Sequence, residues 1–144
     1  MLFVDVNVLL YAHRPESPEH EAFRQWLEDA RSGPEPLGLS DLVLTGFLRI
    51  ATNHRVYTEP TPTSVALSYV RLLQTSPAAV RAVPTARVWD IVGDLVESVG
   101  ATANTIQDIY LAAAAIDLNA TMVTADHGFA RFEGLRMVHP LSAP

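Results

Sequence analysis

Two residue types are missing from the 144-residue chain altogether: it has no cysteine and no lysine. Without cysteine there can be no disulfide framework, thiolate metal site or cysteine nucleophile, which fits a cytoplasmic protein. Without lysine, P-loop phosphate binding and Schiff-base catalysis fall away as well. No apolar run approaches the roughly 18 residues of a membrane span, because Asp or Gly interrupts each candidate. The first residues also lack the basic region of a secretion signal, and Asp5 and Asn7 interrupt their apolar run. Positive charge is scarce, and the net charge of −6 argues against holding nucleic acid on a broad basic surface. It permits a protein that grips a few phosphates through a bound metal ion.

What is present describes a compact chain. A hydrophobic share of 49% beside 18% charged residues supports a real core, and the length predicts one domain over residues 1–144. Leu2 to Val6 reads as a buried strand, followed by a short helix to His13 that Asn7 can cap. Phe23, Trp26, Leu27 and Ala30 mark an amphipathic helix over Pro18 to Arg31, its apolar face fitting either core or a partner groove. A short strand at Leu37 to Leu39 leads to a helix capped by Ser40, and Thr63 to Thr75 forms another. The pattern continues with a strand at Ala82-Val83-Pro84, a helix from Thr85 to Val99 closed by Gly100, and an apolar helix from Thr105 to Leu118. Thr121 to Ala125 is a central-type strand, Gly128 to Phe132 a helical turn, and Arg136 to Val138 the last strand. Strands alternating with helices, without hairpin signals, predict an α/β fold with a parallel sheet covered by helices on both faces.

The chemistry centres on acids. Asp5 lies in an apolar strand, where a carboxylate is costly unless a proton, a partner or a metal ion compensates it. Asp126 follows the strand that begins at Thr121. Ligands of open α/β sheets bind beyond the carboxyl ends of the strands, so these two acids can meet at one sheet edge. Asp108, in the first turn of an apolar helix, can join them. Three converging carboxylates without a lysine to neutralise them call for a hard divalent cation, and oxygen-only ligands favour magnesium or manganese over zinc. Each acid also has a plainer role. Asp108 suits a capping box in Thr105-Ile106-Gln107-Asp108, and Asp126 suits the turn Ala125-Asp126-His127-Gly128. Asn7 and Thr124 fit a cap and a strand position, or groups that orient the acids. Asp117 lies roughly 13 Å along its helix from Asp108, too far to share an ion.

Three segments together resemble one family. Val4-Asp5-Val6-Asn7-Val8-Leu9-Leu10-Tyr11-Ala12 is similar to the opening of PIN-domain toxins of the VapC type. So are Ile106-Gln107-Asp108-Ile109-Tyr110-Leu111-Ala112-Ala113-Ala114-Ala115 and Thr124-Ala125-Asp126-His127-Gly128-Phe129-Ala130-Arg131-Phe132. The resemblance implies a PIN fold and a magnesium-dependent endoribonuclease, with manganese as a substitute ion. It also implies a cognate antitoxin, a homodimer and RNA substrates of the tRNA or rRNA class. By motif position, Asp5, Asp108 and Asp126 would be the metal-binding and catalytic acids, orienting and deprotonating a water for in-line attack on the phosphate. The antitoxin would place a segment, often carrying an arginine, near these acids.

One segment departs from the pattern. Leu39 to Arg49 resembles the family helix that usually carries a fourth acid, a glutamate, and here that position falls on Gly46. Asp41, five residues earlier and about 140° around the helix, is no simple replacement. The departure favours a rival function, a PIN scaffold of weakened activity that survives as a binding module. Arg49 and Arg55 are candidate phosphate contacts. Asp5-Val6-Asn7-Val8 also resembles the nucleophile loop of haloacid-dehalogenase phosphatases, but the second aspartate and the lysine of that family are missing.

Overall fold

The structure is a computed structural model and describes residues 1–142. Strands β1 (Leu2–Val4), β2 (Leu37–Leu39), β3 (Ala79–Arg81), β4 (Thr121–Val123) and β5 (Arg136–Val138) form one parallel sheet in the order β3-β2-β1-β4-β5. Helices α1 (Val6–His13), α2 (His20–Ser32), α3 (Asp41–Ala51), α4 (Thr63–Gln74), α5 (Val88–Val99) and α6 (Ile106–Asp117) connect them. The first two crossovers move the chain outward from β1, and the third brings it back to the other side of β1. Right-handed crossovers therefore set α5 and α6 on the face opposite α1 to α4. The α/β expectation holds.

The sheet centre is apolar because both faces are covered. Phe3 and Val4 of β1, Leu37 and Leu39 of β2, and Met122 and Val123 of β4 are all buried. Ala112 to Ala115 of α6 are buried together, and their small side chains let that helix lie close against its neighbours. Phe23 and Leu27 of α2 belong to the core, and Trp26 packs against it half-buried, which settles that face as interior. The edge strands β3 and β5 are largely exposed.

Several boundaries differ from the sequence expectations, among them the ends of β1 and β4, which stop at Val4 and Val123 rather than at Val6 and Ala125. Asp5, not Asn7, caps α1, its Oδ1 accepting from the Val6 N–H at 2.6 Å. The third strand runs over Ala79–Arg81 rather than from Ala82 to Pro84, because these residues pair with Leu37–Leu39. The following helix starts at Val88 rather than Thr85. Thr85 is drawn to Asp117, its N–H donating to Oδ2 at 2.6 Å and its hydroxyl to Oδ1 at 2.9 Å. Gly100 closes α5 at φ 68°, a conformation glycine adopts without strain.

Candidate active site

The strand order reverses at β1, which has β2 on one side and β4 on the other. Such a switch point opens a crevice beyond the carboxyl ends of the two central strands. Asp5 follows β1 there, and Thr124 to Asp126 follow β4. The Asp5 N–H donates to Val123 O at 3.0 Å, so the ladder between the two strands carries on to the acid itself.

Asp5 is 3% exposed and both its oxygens are occupied. Oδ1 caps α1, while Oδ2 accepts from the Thr124 hydroxyl at 2.7 Å and from Asn7 Nδ2 at 2.7 Å. The fully buried Thr124 hydroxyl also accepts from Asn7 Nδ2 at 3.1 Å and from the Asp126 N–H at 3.0 Å. One donated and two accepted bonds use the hydroxyl completely. Asn7 Oδ1 accepts from the Ala125 N–H at 3.2 Å. Asn7 and Thr124 therefore act as orienting groups, tying the start of α1 to the end of β4.

Asp108 sits in the first turn of α6, but the capping box does not form. Thr105 makes no side-chain cap to this helix and bonds instead to Thr102. Asp108 Oδ2 accepts from Arg131 Nη2 at 3.1 Å. Asp126 caps the 3-10 turn His127–Arg131, Oδ1 accepting from the Gly128 N–H at 2.7 Å. His127 is exposed, stacks loosely with His139 at 6.1 Å between ring centroids, and makes no bond to the acids.

Electrostatics link the three acids. Burial pushes the Asp5 carboxyl above its ordinary value, the bonds from Thr124 and Val6 pull it down, and the charges of Asp108 and Asp126 push it up again. Asp108 is also raised, first by burial, with Arg131 opposing and Asp126 adding to the rise. The three acids thus stand near enough to feel one another's charge. Among the described residues, no three such side chains are gathered tightly enough to hold an ion as they stand. Arg131 holds Asp108, and the Gly128 N–H holds one oxygen of Asp126. The donor set is oxygen throughout and fits a hard divalent cation.

The fourth acid is missing from this edge. Gly46 is buried in α3, and a Cβ added there would meet only Val6 Cγ2 at 3.7 Å. Asp41, at the start of α3, is paired with Arg81 of β3. A cleft of about 850 Å³ lies elsewhere, between the end of α1 and the loop that carries Tyr57, and none of the three acids lines it. Arg131 is the site residue that sequence reasoning passed over. Its only signal was a basic residue within the segment Asp126 to Phe132, and its pairing with Asp108 arises from the docking of the 3-10 turn.

Residues 2–135 match the PIN domain family. Ribonuclease VapC43 of Mycobacterium tuberculosis is 50% identical over 141 residues, covering 98% of this chain and 96% of the relative. Ribonuclease VapC37 of the same species is 38% identical, covering 97% of each chain. Among solved structures, VapBC2 from Rickettsia felis, bound to a DNA fragment from its promoter, superposes with a TM-score of 0.70 at 20% identity. That match covers 96% of this chain and 98% of the other. VapBC-1 from nontypeable Haemophilus influenzae superposes with a TM-score of 0.69 at 15% identity, covering 99% and 100%. These two structural matches show the fold, and the sequence matches show the kinship. The chain belongs to the PIN-domain family, among its VapC ribonucleases.

Proposed function

We propose that this protein is the toxin of a toxin–antitoxin pair, an endoribonuclease that hydrolyses RNA with magnesium held by Asp5, Asp108 and Asp126. The observation that carries this reading is Asp5, buried at the switch point with both oxygens fixed and facing the charges of two further acids. A bound cation would polarise the phosphoryl oxygen and lower the pKa of a coordinated water. Thr124 and Asn7 prevent Asp5 from rotating, so one carboxylate stays aimed at the crevice. Asp108 and Asp126 each have an oxygen without a hydrogen-bond partner, suited to orient the attacking water and take its proton. The P–O bond to water forms as the bond to the departing ribose oxygen breaks, and that oxygen takes up a proton.

The VapBC structures that share this fold support a protein antitoxin as partner. RNA of the tRNA or rRNA class is the proposed substrate, manganese the substitute ion and the cytoplasm the place of action. No helix among the described residues is long and apolar enough to cross a membrane. The test is cleavage of total cellular RNA by antitoxin-free protein with magnesium, with manganese and with chelator, beside Asp5→Asn. Discrete metal-dependent fragments that vanish in the variant are expected. Gly46 favours a second reading, a binding module, and intact metal binding without any RNA cleavage would establish it instead.

A further inference from the structure

Arg131 is, among the described residues, the one arginine set against an acid of the candidate site. Among the described residues, the ion-paired arginines Arg14, Arg24, Arg31 and Arg81 answer acids elsewhere. The contact with Asp108 is a single Nη2–Oδ2 bond of 3.1 Å, with side chains 40% and 34% exposed. Its anchor is firm. Phe129 and Phe132 are buried and meet edge to face with centroids 5.7 Å apart. The Arg131 guanidinium lies 4.7 Å from the Phe132 ring centroid. The 3-10 turn therefore presents a charged head at the rim of the acid cluster on a fixed base.

An ion pair so exposed and single-bonded is weak. A divalent cation bound through Asp108 offers that carboxylate a stronger partner and releases the guanidinium. Its planar fork matches a phosphate better than it matches one carboxylate oxygen. The chain carries a net charge of −6, so a phosphodiester approaching three carboxylates needs local positive charge beyond one metal ion. We infer that Arg131 has two alternating partners: it pairs with Asp108 while the site holds no cation, and grips the RNA phosphate beside the cleaved bond once a cation binds. This inference rests on the proposed metal site and adds a residue that links metal occupancy to phosphate recognition.

The test compares wild-type protein, Arg131→Gln and Asp5→Asn, each freed of metal. Manganese binding is followed by the electron paramagnetic resonance of free Mn2+. Loss of Asp108's competitor should tighten Mn2+ binding about twofold to fivefold in Arg131→Gln, the ratio that an exposed ion pair corresponds to. Inorganic phosphate then probes the Mn2+-loaded protein by line broadening of its phosphorus resonance, which should fall severalfold in the same variant. Thermal melts of the metal-free proteins confirm that Arg131→Gln is folded. Equal Mn2+ affinity in wild type and Arg131→Gln, or unchanged phosphate broadening, overturns the inference and leaves the metal site standing. Mn2+ binding that is absent in wild type, or unaltered by Asp5→Asn, overturns the metal site and the inference together.

Discussion

The Thr124 hydroxyl donates to Asp5 Oδ2 at 2.7 Å, joining the ends of two neighbouring strands across 119 positions of sequence. Thr124→Val keeps the shape and removes the hydroxyl, leaving the Asp126 N–H without its acceptor and Asp5 Oδ2 with Asn7 Nδ2 alone. Stability should fall by about 1–3 kcal/mol, the cost of stranding buried polar groups. The lost bond favoured the ionised Asp5, so the acidic limb of the cleavage profile should move to higher pH. Urea unfolding and a pH–rate profile check both, and an unshifted limb would deny Thr124 its orienting role.

Asp5 also makes a prediction about pH and folding. Its folded-state pKa lies above the ordinary carboxylate value of 3.8. Below that value both states are protonated and the carboxyl carries no penalty. As pH rises from 3.8 through the folded-state pKa, the unfolded chain ionises first and the native state loses stability. The slope is at most about 1.4 kcal/mol per pH unit for one proton. Metal-free wild type should therefore lose stability relative to Asp5→Asn across this interval, and magnesium should restore it. Denaturant titrations at several pH values, with and without magnesium, give the answer.

Arg14 is a structural arginine. It is 8% exposed, donates to Thr61 Oγ1 and Glu59 O at 2.9 Å each, pairs with Glu16, and lies 4.1 Å from the Tyr57 ring centroid. It fastens the loop between α3 and α4 to the end of α1. Arg14→Ala should cost about 2–3 kcal/mol through unsatisfied partners and lost stacking. Arg14→Lys should recover little, since an ammonium cannot reproduce the planar fork. Thermal denaturation ranks the two, and a neutral lysine variant would refute the geometric account.

Gly46 has room for a side chain. Its added Cβ meets only Val6 Cγ2 at 3.7 Å, an ordinary contact, so Gly46→Ala should stabilise α3 by about 0.5–1 kcal/mol. Gly46→Glu should tighten Mn2+ binding by adding a carboxylate near the start of α1. Calorimetry on both variants measures stability and metal affinity. Weaker Mn2+ binding in Gly46→Glu would mean that position 46 does not open onto the site.

Asp5 stood out in the sequence because it interrupts an apolar run, though the structure ends β1 at Val4 and makes Asp5 the cap of α1. Asp126 stood out because it follows a second apolar strand. Asp108 needed the motif, since its position in the first turn of α6 fits a cap equally well. The rest was hidden in tertiary pairing. The strand β3 is poorly buried and takes its limits from its partner β2, which local composition does not reveal. Asp117 looked like an ordinary helix residue, yet it reaches back to Thr85 and delays α5. Asn7 occupied a plausible cap position, and only the closeness of β4 shows that it bridges two segments. Arg131 had no periodicity to betray it, because its partner lies 23 residues away on another element.

The strand order has a consequence for the protein's own synthesis. β1 is made first, but the neighbour that completes its crevice is β4, which ends at Val123. A ribosome that has released only α1 to α5 has made Asp5 but neither Asp108 nor Asp126. With the three acids in the proposed roles, the nascent chain holds no complete site until the α6–β4 segment emerges and docks. Fragments from stalled translation, or from a cut between α5 and α6, likewise lack the two acids proposed to join Asp5. The topology itself leaves the proposed site incomplete until β4 has been made.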